Sequence, residues 1–457
     1  MTPRRHAVVA LATLATGAAS HALPPRYRAD PVPAPALQCW PGVPDSLARG
    51  RGVALSSSGL VLGEVDCGTT IGGSRAYVVD AAGSVVELPS GSFDFVEPIA
   101  FLGAGRVLVS GDWCPPVNGA CTTALSIAAS DGTLSILGGS PSGVSAVHSS
   151  NEQGWAVGSG AMVRSGAFRL RPDGTVDDLG LASSLSAAWD VEAKCVLPDG
   201  RALGSARLAA GTRAVRWSPG GEATVLEHPS GAADSRAAGG SVDGTAVGAV
   251  DGVAVAWLPG GGVLPLMPAG SDSVGTHVGG NLLTQGPLGA SIFGTHRSGT
   301  RLFRASAFGP GSDLGPSIAQ PVHLVEVVSA PRADLMVARA LVGLYEPRSY
   351  LWRPAIGLVD LEMVVIDRPA GAAPLQVVAA NAAGAILVND GSTLEPRLLR
   401  ELRDGDVGGD GRVDGADIGA LLSRWGPVPP GTRSAADMDG NGRVDGADLG
   451  SLLSNWG

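Results

Sequence analysis

Short runs in which apolar and polar residues alternate cover most of the chain, and Gly, Asp or Pro residues separate them. Alternation with a period of two is typical of β-strands, because successive side chains of a strand point to opposite faces. One strand of each unit ends in small residues, and these strand ends recur at residues 63, 111, 158, 204, 248, 294, 338 and 388. The spacing between neighbouring ends is 44 to 50 residues, which indicates an internal repeat.

Each unit holds enough of these runs for four strands, joined by Asp-Gly or Gly-Gly turns. A repeat of about 45 residues with four strands is typical of the blades of a β-propeller. A single blade buries both of its faces only between two neighbours, so a ring of blades completes the burial. The sequence therefore predicts a mainly β fold with a propeller of seven or eight blades, since the eighth unit is short. We expect a strand from residues 37–47 to close the ring.

The N-terminus indicates export. An arginine pair, Arg4 and Arg5, precedes an apolar run at residues 7–19, and Ser20-His21-Ala22 fits the cleavage rule of a secretory signal peptide. The general secretory and the twin-arginine pathways both stay open, and no stretch is long enough to predict a membrane span. We expect a secreted or cell-surface protein. The predicted organisation is a signal peptide at 1–22, a Pro-rich segment at 23–48, the repeat domain at 49–400 and a C-terminal module at 401–457.

Composition narrows the function. Gly at 68 residues, a charged fraction of 16% and a mean hydropathy of +0.21 favour strands that are buried on both faces. A net charge of −10 and the absence of a basic face exclude a nucleic-acid-binding protein. Lys194 is the only lysine, which excludes a Walker A phosphate loop.

Five cysteines are present, and some should pair in an exported protein. Cys114 and Cys121 bracket a short insert and are the predicted disulfide. Cys39 with Cys67 is a weaker pairing, and the full connectivity stays open. Cys195 lies in an apolar run with no His nearby, which favours a buried small side chain over a reactive thiol.

Two acidic loops, 31 residues apart, end the chain. Oxygen-bearing side chains at alternate positions of a twelve-residue loop, with Gly at position six, suit Ca²⁺. The first loop offers Asp406, Asp410, the Arg412 carbonyl, Asp414 and Asp417. The second offers Asp437, Asp439, Asn441, the Arg443 carbonyl, Asp445 and Asp448. Position three of the first loop is Gly408, which has no side-chain oxygen, so we expect two Ca²⁺ sites, the first of them weaker.

An apolar triplet follows each loop and predicts a short helix. The triplets are Leu421, Leu422 and Trp425, and Leu452, Leu453 and Trp456. We expect each triplet to form one apolar face. No helical pattern precedes either loop, so the module is loop and helix twice rather than two complete EF-hands.

This duplicated arrangement resembles a type I dockerin module over residues 401–457. The resemblance implies calcium-dependent docking onto a cohesin module of a polysaccharide-degrading assembly. It also implies that positions ten and eleven of each loop contact the partner. Here these are Gly415, Ala416, Gly446 and Ala447. A hydroxyl-bearing pair is common there in the family, so calcium binding should survive this departure better than cohesin binding.

The central repeat is similar to the HAF family of extracellular repeats, whose units pair a Gly-containing strand with His-Ala-Phe. The corresponding triplets are Arg75-Ala76-Tyr77, Gly166-Ala167-Phe168 and Ser306-Ala307-Phe308, so the His is missing. The resemblance implies extracellular repeats and carries no chemistry.

The repeat domain contains no recognised catalytic motif. Its histidines are scattered without an HExxH pair, although His277 and His296 share a Gly-Thr-His context that is more typical of equivalent loops than of a site. Carboxylates that meet in space remain loose candidates for glycoside hydrolysis, namely Asp112, Asp190, Asp234, Glu326 and Glu346. Five tryptophans suit sugar stacking, but their matched strand positions favour a core between blades. They are Trp155, Trp189, Trp217, Trp257 and Trp352.

Three functional hypotheses follow, and the third is a purely structural surface protein, which an apolar and shallow propeller mouth would favour. The leading one is a secreted, non-catalytic propeller that a dockerin-like calcium module attaches to a cohesin-like protein or a cell-surface scaffold. The alternative is a carbohydrate-active protein that binds or hydrolyses polysaccharide. A pocket lined by acidic and aromatic residues at one mouth of the ring would favour the alternative.

Overall fold

The structure is a computed structural model, and it confirms a mainly β chain with a propeller and a small helical C-terminal module. The residues it describes are 25–33, 49–66, 74–88, 96–103, 105–113, 122–129, 133–137, 144–160, 166–266, 291–296, 301–306, 312–314, 322–332, 334–342, 346–369, 371–430 and 432–457. The predicted signal peptide, at 1–22, lies outside them.

The first strand that the structure describes is β1 (Tyr27–Pro31), and the blades follow it in chain order. The first blade consists of β2 (Arg49–Leu55), β3 (Val61–Asp66), β4 (Ser74–Val79) and β5 (Val85–Glu87). The second consists of β6 (Glu97–Phe101), β7 (Arg106–Trp113), β8 (Thr122–Ala129) and β9 (Leu134–Ile136). The third consists of β10 (Val144–Ser150), β11 (Ala156–Gly160), β12 (Ala167–Leu170) and β13 (Val176–Asp178).

The fourth blade consists of β14 (Asp190–Val196), β15 (Ala202–Leu208), β16 (Gly211–Trp217) and β17 (Ala223–Val225). The fifth consists of β18 (Ser235–Gly240), β19 (Ala246–Val250), β20 (Val253–Trp257) and β21 (Val263–Pro265). A sheet with three described strands comes next, with β22 (Ser291–His296), β23 (Arg301–Ser306) and β24 (Ser312–Asp313). It is followed by the four-stranded blade of β25 (Val322–Arg332), β26 (Leu335–Val342), β27 (Glu346–Arg353) and β28 (Gly357–Asp360).

The last blade joins the two ends of the propeller sequence. In it, β29 (Leu375–Ala380), β30 (Ile386–Asp390) and β31 (Pro396–Glu401) are completed by β1. The described residues therefore form seven four-stranded blades and the three-stranded sheet. An N-terminal strand closes the ring, but it is β1 and lies upstream of the predicted residues 37–47, which are outside the described residues. Tyr27 anchors β1 because its ring is fully buried and its hydroxyl accepts a hydrogen bond of 2.7 Å from Arg353.

First strands of consecutive blades contact each other, as β10 does with β14 and β14 with β18, and they are therefore the innermost strands. These strands carry β-bulges, which lie between Ala193 and Cys195 in β14 and between Ala237 and Gly239 in β18. The bulge brings the backbone close to the second strand, where a Cβ at Gly204 would clash with the Glu192 carbonyl. The small residues of the repeat thus make room for the bulges, which redirect side chains at the inner edge.

Large aromatic side chains fill the space between blades, as predicted. Trp217, Trp257 and Trp352 are buried, and Trp155 is half-buried against the same core as Trp217. The prediction was wrong for Trp189, because 61% of this residue is exposed. It follows a 3₁₀ turn rather than lying in a strand, so the strand alternation does not direct it inward.

The C-terminal module packs against the propeller. Its elements are α1 (Gly415–Ser423), β32 (Gly426–Pro427), β33 (Arg443–Val444) and α2 (Gly446–Ser454). Ile366 and Leu402 of the propeller join its apolar core. Arg26 donates a 2.7 Å hydrogen bond to the Ala435 carbonyl, and the Asp367 N–H donates one of 2.8 Å to the Arg433 carbonyl.

Cys195 is buried, as predicted, and burial raises the pKa of its thiol to about 11. The predicted Cys114–Cys121 disulfide lies outside the described residues, as do Cys39 and Cys67. Among the helices of the described residues, none has the length and apolar character needed to cross a membrane.

Candidate metal centre

The two C-terminal helices begin in the same way. Asp414 is the N-cap of α1 and Asp445 that of α2, and each accepts a hydrogen bond from the N–H two residues later. Asp417 and Asp448 complete reciprocal capping boxes by accepting from the N-cap N–H at 2.9 and 2.8 Å. A carboxylate at this position also interacts favourably with the helix dipole. The last acidic residue of each loop is therefore held rigidly at a helix N-terminus.

Three predicted ligands of the second loop converge. One carboxylate oxygen from each of Asp437, Asp439 and Asp448 lies within 4.8 Å of the other two. Asp448 is fully buried, and its Oδ1 accepts hydrogen bonds from the Met438 N–H at 2.6 Å and the Asp439 N–H at 3.3 Å. The backbone of the loop thus wraps around the Asp448 carboxylate and brings the other two carboxylates to it.

The surroundings of Asp437 indicate that the three carboxylates need a cation to balance their charge. Its Oδ2 accepts a hydrogen bond of 3.0 Å from the Gly442 N–H, but its Oδ1 is buried without a hydrogen-bond partner among the described residues. Burial, together with the charges of Asp448 and Asp439, raises the pKa of Asp437. Three adjacent carboxylates, one of which has this unpartnered oxygen, form a set of oxygen ligands that a hard cation such as Ca²⁺ binds.

The other predicted ligands of the second loop lie around this cluster. Asn441 donates from Nδ2 to Asp439 at 2.9 Å, and its Oδ1 accepts from the Arg443 N–H at 2.8 Å. Arg443 lies in β33, opposite Pro427, and Asp445 is the helix cap. The assignment of Asn441, Arg443 and Asp445 as ligands stays a prediction.

The first loop has a different hydrogen-bond pattern. Asp406 is buried and uses both oxygens, with Oδ1 accepting from Gly409 and Asp410 N–H and Oδ2 from Gly411 N–H. Asp417 is also buried, and its Oδ1 accepts from the Gly408 N–H at 2.7 Å. No three carboxylates of this loop come together as those of the second loop do, within the part of the chain that the structure describes. Its assignment as a weaker site stays a prediction.

The remaining first-loop positions are peripheral. Asp410 is exposed and accepts from the N–H of Arg412, which is also exposed. Asp414 serves as the N-cap. The Gly408 carbonyl accepts a hydrogen bond from the guanidinium of Arg28, which lies on β1 of the propeller. Sequence reasoning missed this contact because the two residues are 380 positions apart.

The helices do not present the predicted single apolar face. Leu421 and Leu452 are fully buried, while Leu422, Trp425, Leu453 and Trp456 are 52%, 51%, 52% and 49% exposed. Adjacent residues of a helix point about 100° apart, so a narrow helix contact buries only one leucine of each pair. The partner-contact positions Gly415, Ala416, Gly446 and Ala447 are exposed as well.

The loose carboxylate candidates of the propeller are mostly dispersed. Asp190 and Asp234 line one cavity. Asp112 lies opposite Thr123, Glu326 opposite Arg339, and Glu346 pairs with Arg348. Of the two histidines in similar contexts, His296 is in β22 and His277 is outside the described residues.

Residues 404–454 match the family model of the dockerin type I domain, so the chain carries a dockerin region at its C-terminal end. Dockerin type I domains bind calcium, and dockerin domains bind cohesins. No curated protein matches the sequence.

Several solved structures match this chain at low sequence identity. They include virginiamycin B lyase from Staphylococcus aureus, with 11% identity, coverage of 78% of this chain and 95% of that one, and a TM-score of 0.36. The β-propeller domain of the Trilobed protease from Pyrococcus furiosus has 6% identity, coverage of 80% and 97%, and a TM-score of 0.38. Acylaminoacyl peptidase from Pyrococcus horikoshii has 12% identity, coverage of 79% and 53%, and a TM-score of 0.40.

Proposed function

We propose that this chain is an exported β-propeller that attaches, through its calcium-dependent dockerin region, to a cohesin-like protein module or a cell-surface scaffold. The observation that carries the proposal is an exposed apolar pair that occurs at the same place in both copies of the module. The pairs are Leu422 with Trp425, and Leu453 with Trp456, and each residue is about half exposed. Exposed tryptophans next to leucines are typical of residues that anchor protein interfaces.

Calcium gives these pairs a fixed position. Asp437, Asp439 and Asp448 would hold the ion with Asn441, Asp445 and the Arg443 carbonyl. The corresponding first-loop residues would hold a second, weaker ion, and they are Asp406, Asp410, the Arg412 carbonyl, Asp414 and Asp417. The ion supplies positive charge between carboxylates that otherwise repel each other. Asp448 lies in the first turn of α2 and completes its capping box, so an ion held there ties the loop to the helix that carries Leu453.

The start of each helix permits close approach of a partner. Gly415 and Gly446 are exposed, and a Cβ at either position would meet no atom within 4 Å. Ala416 and Ala447 are exposed and carry no hydroxyl. A partner that fits here contacts backbone and methyl groups. We therefore expect the cohesin surface that faces these residues to be apolar rather than to hydrogen-bond with hydroxyl groups.

The test is binding of the full chain to immobilised cohesin modules, measured by biolayer interferometry with and without millimolar Ca²⁺. We expect binding that EGTA abolishes. The double variant Trp425→Ala and Trp456→Ala should lose about tenfold or more in affinity, as interface tryptophans do. Trp189→Ala removes an equally exposed tryptophan from the propeller and is the matched control. Equal binding with and without Ca²⁺ would refute the proposal, and so would the absence of binding to every cohesin tested.

Export forms part of this proposal. Processing near Ala22 would leave Tyr27 and the rest of β1 in place, so the mature chain would keep its closing strand. The predicted Cys114–Cys121 disulfide suits an oxidising compartment. Intact-mass measurement of the secreted protein should give a start near residue 23, and peptide mapping without reduction should recover the disulfide. A full-length secreted chain with free thiols would contradict both.

A further inference from the structure

A polar cavity of about 510 Å³ lies on the propeller, far in sequence from the dockerin region. It is built from the third, fourth and fifth blades, where β14 and β18 begin and β11 and β15 end. Its charged lining residues are Asp190, Glu192, Arg207, Asp234 and Arg236. The volume is within the range of small-molecule sites.

Opposite charges are mixed in this cavity rather than separated. Asp190 lies directly opposite Arg207 in the β14–β15 ladder, and Arg236 follows Asp234 by two residues. Glu192 also lines the cavity and pairs with Lys194. Nearby cations thus nearly balance the three carboxylates. Neither sign dominates the electrostatic potential of the cavity, so the potential does not favour a strongly charged ligand.

Asp234 is a fixed hydrogen-bond acceptor. Its Oδ1 accepts from the Thr212 N–H at 2.8 Å, and its own N–H donates to Asp251 at 2.7 Å. The hydrogen bond from Thr212 lowers the pKa of Asp234, so the carboxylate is ionised at neutral pH. Arg207 and Arg236 supply donors, and neither guanidinium donates a hydrogen bond to a residue that the structure describes.

Trp189 adds an exposed aromatic side chain next to Arg207, which lines the cavity. It precedes the cavity residue Asp190, and its backbone N–H donates to the Arg207 carbonyl at 3.3 Å. The Arg207 guanidinium carbon lies 5.7 Å from the ring centroid, and 61% of the residue remains exposed. Among the propeller tryptophans whose burial the structure describes, Trp217, Trp257 and Trp352 are buried and Trp155 is half-buried, so Trp189 differs from them in its exposure.

We propose that this cavity binds a neutral carbohydrate. A sugar hydroxyl both donates and accepts hydrogen bonds, so it pairs equally well with Asp190 or Asp234 and with Arg207 or Arg236. The apolar C–H face of a sugar ring stacks on an exposed indole such as Trp189. A ligand with a strong charge of either sign would meet repulsion from part of this lining.

The test is affinity electrophoresis of the full chain in gels that contain β-1,4-xylan, mixed-linkage β-glucan, galactomannan or soluble starch, with heparin and pectin as charged comparisons, followed by titration calorimetry with the retained polymer. We expect retention by at least one polymer. Trp189→Ala should weaken the affinity about tenfold or more, because an aromatic anchor is lost. Asp234→Asn should weaken it less. Trp425→Ala, an equally exposed tryptophan in the dockerin region, should have no effect, and neither should EGTA.

The outcomes separate this proposal from the attachment function. Retention that survives Trp189→Ala, or retention by none of the neutral polymers, overturns it. Binding confined to heparin or pectin also overturns it, in favour of an anion site. Release of reducing ends from the retained polymer would overturn simple binding in favour of hydrolysis. Cohesin binding should be unchanged in Trp189→Ala, so failure of one proposal leaves the other standing.

Discussion

The two twelve-residue loops of the C-terminal module have the same residue at nine positions, yet their carboxylates accept hydrogen bonds in different ways. In the first loop both oxygens of Asp406 accept backbone N–H groups. In the second loop the corresponding Asp437 has one buried oxygen with no hydrogen-bond partner among the residues that the structure describes. The difference coincides with position three, which is Gly408 in the first copy and Asp439 in the second.

This comparison shows why matching spacing does not make two sites equivalent. The carboxylate of Asp439 adds a third negative charge beside Asp437 and Asp448, and the loop then requires a cation to balance it. The first loop lacks that carboxylate, and its Asp406 accepts hydrogen bonds from the backbone N–H groups of the loop instead. Its Gly408 carbonyl also receives a cation from the protein itself, the guanidinium of Arg28. The second loop should therefore depend on calcium, and the first should be nearly complete without it.

The largest effect is expected for Asp448→Ala. The change removes a buried carboxylate that accepts from the N–H groups of Met438, Asp439 and Asp445. Each buried N–H left without an acceptor costs about 1–3 kcal/mol, and the proposed calcium ligand set loses one carboxylate as well. Titration calorimetry should show a decrease of about 100-fold or more in affinity for the tighter Ca²⁺. Thermal unfolding should show a lower melting temperature of the module.

The matched control for that change is Asp417→Ala in the first loop. It removes a carboxylate that is equally buried and accepts from the Gly408 and Asp414 N–H groups. It should also lower the melting temperature, but the tighter Ca²⁺ should still bind. Equal loss of calcium affinity in the two variants would show that the loops do not differ as described.

The second-largest effect is a pH dependence of the stability of the calcium-free module. The pKa of Asp437 is raised above its ordinary value by burial and by the charges of Asp448 and Asp439. The folded module then keeps a proton at pH values where the unfolded chain has released it, so stability is highest at acid pH and falls as pH rises through the raised pKa. The melting transition of the calcium-free C-terminal module should thus lie at a higher temperature near pH 4 than at neutral pH.

Asp437→Asn tests that assignment. The variant should remove most of the pH dependence, raise the neutral-pH melting temperature of the calcium-free protein, and abolish the increase that Ca²⁺ gives the native protein. Asp406→Asn is its counterpart in the first loop, where both oxygens are already satisfied, and should only destabilise. If Asp437→Asn lowers the calcium-free melting temperature as much as Asp406→Asn does, the unpartnered oxygen is not a source of instability.

Local patterns in the sequence were sufficient for much of this molecule. The repeat predicts the propeller because each blade is a local unit whose strands alternate in place. The acidic spacing predicts the convergence of Asp437, Asp439 and Asp448 because a short loop leaves their side chains few other directions. The closing strand was misplaced because burial of Tyr27 depends on β31 at the other end of the propeller.

Features that depend on distant partners were not predictable. Leu422 and Leu421 are adjacent and equally apolar, and only the packing of α1 decides which one is buried. The exposure of Trp189 depends on a turn between blades rather than on a strand pattern. The contact of Arg28 with Gly408 joins residues that only closure of the ring brings together.

A smaller effect is expected from Gly408→Asp, which gives the first loop the side chain that Asp439 gives the second. A Cβ at this position would lie 3.3 Å from Asp417 Oδ1, so the loop must relax by a few tenths of an ångström. The added carboxylate should increase first-site Ca²⁺ affinity about tenfold, because calcium affinity rises with the number of charged ligands. Gly408→Asn supplies an oxygen without charge and should give less. No gain from either variant would mean that position three does not explain the difference between the loops.

The smallest effect is expected from Arg28→Ala. The Arg28 guanidinium donates to the Gly408 carbonyl, and a Cβ at Gly409 would lie 2.6 Å from the same group, so this cation sits against the first loop. Its removal should raise first-site Ca²⁺ affinity about two- to fivefold at low salt, and the gain should shrink as salt screens the charge. Arg400 lies opposite Arg28 in the β1–β31 ladder and approaches the same Asp30, which makes Arg400→Ala the matched control with no expected gain. A loss of affinity in Arg28→Ala would show instead that the contact holds the loop in its binding shape, and the propeller would then support the first calcium site rather than compete with its ion.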